Sequence, residues 1–324
     1  KKPAQATLIF NPLAGPANLA APMVLVADLW QARGWRVTIQ PTQAPGHATE
    51  LAQQAAAAGC DLVFAAGGDG TLGEVANGLA GTETIMAPLP VGTANSFARE
   101  LHMPLPVLRG RHQLLKAADL LLNGRIQRMD LGYTVDGTGN GRYWLLWSGA
   151  GADGYLVEHI EPRPKWSKKL GRFGYMIQGI ALTPNFPAVQ ARVEIDGQLF
   201  EDHYLLALIS NCRLYAGGGL TLSPQAKLDD GLFEVWLFQG QHIYKLFQYG
   251  ALMKAGRRDY PGMMMVHGRS ITIHTTPTMP CQTDGELGGY TPLTCILKPG
   301  ALRLLVPASA PADLFEQPGI PLKL

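Results

Sequence analysis

The sequence has no apolar run of about 18 residues, so it predicts no membrane-crossing helix. The apolar stretch Ala6 to Phe10 behind Lys1-Lys2 is too short for a signal peptide, and Asn11-Pro12 ends it like a strand entering a turn. The Walker pattern Gly-x-x-x-x-Gly-Lys-[Ser/Thr] is missing, and no Gly-x-Gly-x-x-Gly follows the first strand, which argues against P-loop and dinucleotide folds. The four cysteines (Cys60, Cys212, Cys281, Cys295) are scattered without a paired CxxC, so they read as reduced, cytosolic thiols. Neither charge sign dominates: 27 Lys plus Arg face 25 Asp plus Glu, which excludes a global nucleic-acid footprint. Charged residues are scarce at 16% against 47% hydrophobic, a greasy balance that suits an enzyme whose substrate lives in a membrane. Repeats and low-complexity segments are lacking too. The 324 residues are enough for two domains with real cores.

What is there centres on Asp61-Leu-Val-Phe-Ala-Ala-Gly-Gly-Asp-Gly-Thr71. Leu62 to Ala66 reads as a buried strand that stops at Gly67-Gly68-Asp69-Gly70. Thr71, three residues ahead of Glu74, has capping-box spacing before the helix-like run Val75, Leu79, Ala80. Strand, glycine turn and helix start together make a phosphate site: bare glycines expose backbone N–H groups, and the helix dipole favours the negative charge.

Around this stretch the first half alternates. Strands are expected at Thr7 to Phe10, Trp35 to Gln40 and Thr84 to Leu89, and helices at Pro22 to Trp30, Gly46 to Ala58 and His112 to Leu122. That alternation implies a doubly wound parallel sheet, whose ligands bind beyond the carboxyl ends of the strands. Asn11, Thr42, Gly67 to Thr71 and Gly92 to Asn95 therefore converge on one crevice fit for a nucleotide. His47 has two open readings, a phosphate contact or a solvent-facing residue of the first helical turn.

Beyond Asn123-Gly124 the pattern changes to mostly sequential strands: Ile126 to Val135, Tyr143 to Ser148, Ala188 to Ile195, Leu199 to Ser210, Leu232 to Phe238 and Ser270 to Thr275. The turns Asp136-Gly137 and Asp196-Gly197 separate such runs. The expected organisation is an α/β nucleotide-binding domain over 1–129, an antiparallel β-sandwich over 130–306 and a tail over 307–324 that returns toward the first domain. Helical insertions are expected near Lys168 to Leu182 and Gln241 to Ala255, with the active site in the cleft between the domains. Arg163 to Tyr175 mixes five basic residues with three aromatics, either a membrane-facing helix or a solvated one with its aromatics in the core. Met263-Met-Met265 reads as core or as the lining of a greasy pocket.

Two acidic groups stand out. Lys227-Leu-Asp-Asp230-Gly231-Leu232 offers hard oxygen ligands for Mg²⁺, or is a solvated turn. Thr283-Asp284-Gly285-Glu286 offers a carboxylate able to take a hydroxyl proton, or is a plain hairpin turn.

Gly67-Gly-Asp-Gly-Thr71 with Glu74, Asn77, Gly78 and Leu79, followed by Leu89-Pro-x-Gly-Thr-x-Asn95 and Phe97-Ala-Arg99, resembles the diacylglycerol kinase catalytic domain family. Its relatives include soluble bacterial lipid kinases, sphingosine kinases and ceramide kinases. Asn11-Pro12 with Gly15, Leu228 to Leu232 and Asp284-Gly-Glu286 follow in the family's order, so the resemblance spans nearly the whole chain. It implies ATP-dependent phosphorylation of a lipid hydroxyl, an NAD kinase-like first domain and a cytoplasmic protein working at the inner membrane face. By that similarity Asn11, Thr42, Gly67, Gly68, Asp69, Gly70, Thr71, Leu72, Gly73, Gly92, Thr93 and Asn95 hold the nucleotide. Asp230 with the carbonyls of Lys227 and Leu232 takes magnesium. Glu286 matches the proton acceptor of bacterial members and Asp69 that of the sphingosine kinase branch. Oligomeric state stays open, a homodimer included.

Two positions depart from the family pattern: Ser96 stands where Asp is usual and Gly73 where Asn is common. They leave an alternative in which the protein is a catalytically weakened lipid-binding or regulatory homologue. A further alternative, an NAD kinase, shares Gly-Gly-Asp-Gly-Thr, but Asp230 and Asp284-Gly-Glu286 argue against it. The acceptor is a diacylglycerol-like lipid, phosphatidylglycerol or a sphingoid base.

Overall fold

A computed structural model of the chain describes residues 3–14, 19–105, 111–160, 186–187 and 189–323. The expected basic and aromatic segment Arg163 to Tyr175 and the helix Lys168 to Leu182 lie outside them. The chain divides into two compact units, one of Lys1–Leu131, Lys227–Asp230 and Pro299–Leu324, the other of Gly132–Ala226 and Gly231–Lys298.

The first unit opens with β1 (Gln5–Phe10), α1 (Ala20–Gln31), β2 (Arg36–Pro41), α2 (His47–Ala57), β3 (Leu62–Gly67), α3 (Asp69–Leu79) and β4 (Ile85–Pro90). The short α4 (Ser96–Glu100), α5 (Arg111–Leu122) and β5 (Arg125–Val135) follow. The strands pair in the order β2, β1, β3, β4, all parallel. Every residue of β3 and β4 is buried, as expected of central parallel strands covered on both faces. Trp30 of α1 is fully buried, stands edge-on to Phe64 at 4.7 Å, and donates its indole N–H to the Ala118 carbonyl of α5.

The second unit is built from β6 (Gly141–Trp144), β7 (Trp147–Gly151), α6 (Ala152–Ile160), β8 (Gln190–Ile195), β9 (Gln198–Ser210), the short β10 (Leu214–Tyr215) and β11 (Leu220–Thr221), and β12 (Phe233–Gln239). After them come α7 (Tyr244–Lys254), β13 (Met263–Gly268), β14 (Ser270–Thr276), β15 (Pro280–Thr283), β16 (Glu286–Tyr290) and the first part of β17 (Leu293–Val306), whose residues from Pro299 on belong to the first unit and pair parallel with β4. A last strand, β18 (Ile320–Pro321), pairs antiparallel with β5 inside the first unit. The strands of the second unit pair antiparallel, and β9 serves two layers. Its first half pairs with β8, while its buried second half pairs with β7 and β12. Between the layers Trp144 stacks on Phe233 at 5.0 Å, among Val193, Ile209, Val235, Ile273 and Cys295. Gly132 is required there, since a Cβ would lie 1.9 Å from the Trp144 ring.

Three expectations need correction. The helix after the glycine turn starts at Asp69, so Thr71 sits inside its first turn and forms no capping box with Glu74. The expected strand Tyr143 to Ser148 is two strands, β6 and β7, broken at Leu145-Leu146. The Asp284 carboxylate takes the amides of Leu145, Leu146 and Trp147, which are then unavailable to a continuous ladder. Met263 to Met265 is core only in part: it begins β13, with Met263 buried, Met264 packed on the core and Met265 exposed.

Candidate active site

The first four amides of a helix have no partner within it, and α3 presents its own directly after β3. Gly68 is the extended N-cap, at φ −85° and ψ −176°, with no side-chain cap, and Leu72 makes the first return bond to the Gly68 carbonyl at 3.1 Å. Gly68, Asp69 and Gly70 are partly exposed, while Thr71, Leu72 and Gly73 are buried. The result is a set of reachable N–H donors at the positive end of a helix dipole, an anion site in chemical terms.

Steric constraints fix the glycines. A Cβ on Gly67 would lie 2.2 Å from the Thr71 Cβ, so the turn closes only with glycine there. A Cβ on Gly92 would meet the Gly68 Cα at 2.5 Å, so the two glycine loops touch backbone to backbone. Asp69 then ties them together: its carboxylate accepts the amides of Ser96 at 2.9 Å and Phe97 at 3.1 Å, at the start of α4. Asn95 sits in the left-handed region at φ 51° and folds its side chain onto its own loop. Its Oδ1 accepts the Gly92 amide at 2.9 Å, and its Nδ2 donates to the Gly92 carbonyl at 2.6 Å. Thr93 is exposed at the tip of that loop.

The parallel register carries Asn11 and Thr42 to the same end of the sheet as these loops. The Asn11 amide donates to Ala66 at the end of β3, and the Thr42 amide donates to Phe10 at the end of β1. His47 is half-buried, and its Nδ1 accepts the Gln43 amide at 3.0 Å. Glu74 serves the neighbouring helix: its carboxylate accepts the amides of Gly46 at 2.9 Å and Ala48 at 3.1 Å, capping α2.

The Lys227 to Asp230 turn is held by the C-terminal segment. Leu228 donates to the Leu314 carbonyl, Asp229 accepts the amides of Glu316 at 2.6 Å and Gln317 at 2.9 Å, and Lys227 pairs with Glu316 at 2.9 Å. That Glu316 contact raises the Lys227 pKa. Asp229 is thereby committed to backbone amides, and Asp230 is the half-buried carboxylate beside it. Among the described residues no group of three or more His, Cys, Asp or Glu gathers at one place, so a zinc-type cage is absent from them. The Asp230 carboxylate is a hard oxygen donor of the kind magnesium takes, one or two carboxylates with the rest of the shell left to water.

In the second unit, Asp284 and Gly285 form a two-residue turn between β15 and β16 with φ 52° and 82°, as a type I′ hairpin demands. The hairpin is real, and it separates two very different acids. Asp284 is buried; desolvation outweighs its amide donors and the Arg142 charge, and pushes its pKa up to about 6. Glu286 is 46% exposed and pairs with Arg142 at 3.2 Å, a surface ion pair too weak to lock it.

Asp153 is an acid not singled out in the sequence. It opens α6 directly after the glycine-rich Gly149-Ala-Gly-Ala-Asp-Gly154, accepts the Gly154 amide at 2.8 Å, and receives the Tyr215 hydroxyl at 3.4 Å. Desolvation pushes its pKa up to about 6. The signal was available: the strand-to-helix turn repeats the glycine, acid, glycine arrangement of the first unit. All four cysteines are buried and none is in a disulfide.

Residues 5–134 match the diacylglycerol kinase catalytic domain family, and residues 149–306 match the YegS C-terminal NAD kinase beta sandwich-like domain. The chain is 31% identical over 292 residues to a diacylglycerol kinase of Staphylococcus carnosus, covering 89% of this chain and 90% of that one. It is 29% identical over 291 residues to the diacylglycerol kinase of Bacillus subtilis, covering 89% and 91%. A crystal structure of a diacylglycerol kinase from Bacillus anthracis superposes with a TM-score of 0.70 at 25% identity, over 96% of this chain and 100% of that one. Both units have a counterpart in these relatives, and the glycine loops and acids described above lie within the matched stretches; the chain belongs to the diacylglycerol kinase catalytic domain family of lipid kinases.

Proposed function

We propose that the protein transfers the γ-phosphate of ATP to a hydroxyl of a membrane lipid. The observation that carries this reading is the partly exposed first turn of α3, whose amides follow Gly67-Gly68, which packs against Gly92, and which Asp69 ties to the start of α4. Phosphoryl transfer depends mainly on positioning and charge neutralisation. The amides of Gly68 to Thr71 take the terminal phosphates, while Asn11, Thr42 and Thr93 border the nucleotide at the same strand ends. Leu72, Gly73 and Asn95 act by shaping the loops.

Glu286 is the residue we assign as proton acceptor, because it is exposed and only loosely paired, whereas Asp69 spends both carboxylate oxygens on backbone amides. In the reaction the lipid hydroxyl oxygen bonds to the γ-phosphorus, the bond from that phosphorus to the bridging oxygen breaks, and ADP leaves. The hydroxyl proton passes to Glu286. Asp230 with the carbonyls of Lys227 and Leu232 would hold magnesium, which when bound supplies positive charge and order to that turn.

The protein incubated with [γ-³²P]ATP and a lipid panel of diacylglycerol, phosphatidylglycerol and a sphingoid base should place label in one chloroform-extractable product. No label in any lipid, with ATP still bound, would overturn this function. It would favour a second reading, a binding or regulatory protein with degenerate turnover. Ser96 motivates that alternative: its hydroxyl is buried with no hydrogen-bond partner where the family resemblance implies an acid.

A further inference from the structure

A surface helix normally turns its apolar stripe inward and a polar face to water. The helix α7 is apolar on both sides. Its inner side is anchored by the buried Tyr249 and Met253, with the Tyr249 hydroxyl donating to the Gln239 carbonyl at 2.7 Å and its ring 5.8 Å from that of Phe238. On the opposite arc, at helical spacing, lie Tyr244, Phe247, Ala251 and Lys254. Tyr244 is 58% exposed and Phe247 46%, so two aromatic rings one turn apart stand in water.

The sequence through this helix carries charge of one sign, up to Asp259 just beyond it. From Val235 to Arg258 the sequence contains no Asp or Glu, while His242, Lys245, Lys254, Arg257 and Arg258 all fall within it. Lys254 on that arc and Arg257, three residues after it, are exposed, and the His242 ring stacks 5.6 Å from that of Tyr244. Arg258 is committed elsewhere, donating to the carbonyls of Thr221 and Leu222. Exposed aromatics flanked by cations match a bilayer interface of anionic lipid: rings enter the headgroup boundary while Lys and Arg remain at the phosphates. A polar protein partner would leave the rings unsatisfied, and nucleic acid would call for a broader basic surface than this helix offers.

We infer that the Tyr244, Phe247 and Lys254 face of α7 is a docking surface for an anionic membrane. This deepens the reading of a membrane-lipid acceptor and rests on it.

The test is co-sedimentation of the full chain with phosphatidylcholine vesicles, with and without phosphatidylglycerol, at low and high salt. Two double variants are compared, Tyr244→Ser with Phe247→Ser, and Lys254→Glu with Arg257→Glu. All four side chains are exposed, and unchanged unfolding curves would verify the fold. The expected result is binding to anionic vesicles that falls with salt and drops about tenfold or more in each variant. Phosphorylation of a short-chain, water-soluble lipid should stay at the wild-type level, which separates a failure of docking from a failure of the kinase reading. Binding within about twofold of wild type in either variant would overturn the inference. So would a dimer in solution that these variants dissolve, since the face would then belong to a second copy.

Discussion

The carboxylate of Asp69 accepts the backbone amide of Ser96 at 2.9 Å, joining the helix after the first glycine loop to the helix after the second. With Phe97 on its other oxygen, Asp69 acts as a brace between two loops whose glycines already touch. Asp69→Ala should therefore lose on the order of 2–4 kcal/mol of stability, two charge-assisted bonds being removed together, and should weaken ATP binding. Asp69→Asn keeps one acceptor oxygen and should lose less on both counts. Urea unfolding and calorimetric ATP titration measure the two effects. Asp69→Asn with normal stability and ATP affinity but no turnover would instead make Asp69 the proton acceptor.

Glu74 makes a second brace, from α3 to the amides that open α2. Removing it in Glu74→Ala leaves the Gly46 and Ala48 amides without their acceptor and should cost about 1–3 kcal/mol. ATP affinity should hardly change. Unfolding curves at two ATP concentrations separate the effects: the loss should be the same at both.

Much of this was legible in the residues. Leu62 to Ala66 reads as a buried strand because nothing polar interrupts it, and the glycines after it announce a tight turn. Thr71 and Glu74 show where local reading fails. Their spacing fits a capping box, but Glu74 finds better donors on another helix, 28 and 26 residues back in the chain. The break between β6 and β7 was likewise invisible, since it depends on Asp284, 137 to 139 residues away. Asp153 could have been found from its glycine context, although its raised pKa comes only from burial. Asp229 and Asp230 are identical letters side by side. The tail amides of Glu316 and Gln317 claim Asp229, a choice the letters alone do not carry.

Asp153 makes a pH prediction. Its folded pKa of about 6 lies above the ordinary 3.8, so the folded state holds its proton more tightly than the unfolded chain. The stability it contributes is fully present below about pH 4 and is lost as pH rises through about 6. Asp153→Asn removes that loss. Relative to wild type, the variant should gain about 1–3 kcal/mol between pH 4 and pH 7, measured by denaturant unfolding at each pH.

The acidic turn predicts different outcomes for neighbouring residues. Asp230→Ala should abolish the rise in melting temperature that magnesium produces. Asp229→Ala releases the Glu316 and Gln317 amides and should lower stability by about 1–3 kcal/mol even without metal. It should also weaken magnesium binding, because Asp230 loses its support. Thermal melts across a magnesium titration provide both readings.

The most direct measurement concerns the first turn of α3. In an amide-resolved NMR titration with magnesium and ATP, the signals of Gly68, Gly70 and Thr71 should shift together and saturate with the affinity found by calorimetry. ATP bound at full affinity with those three amides unmoved would contradict the account.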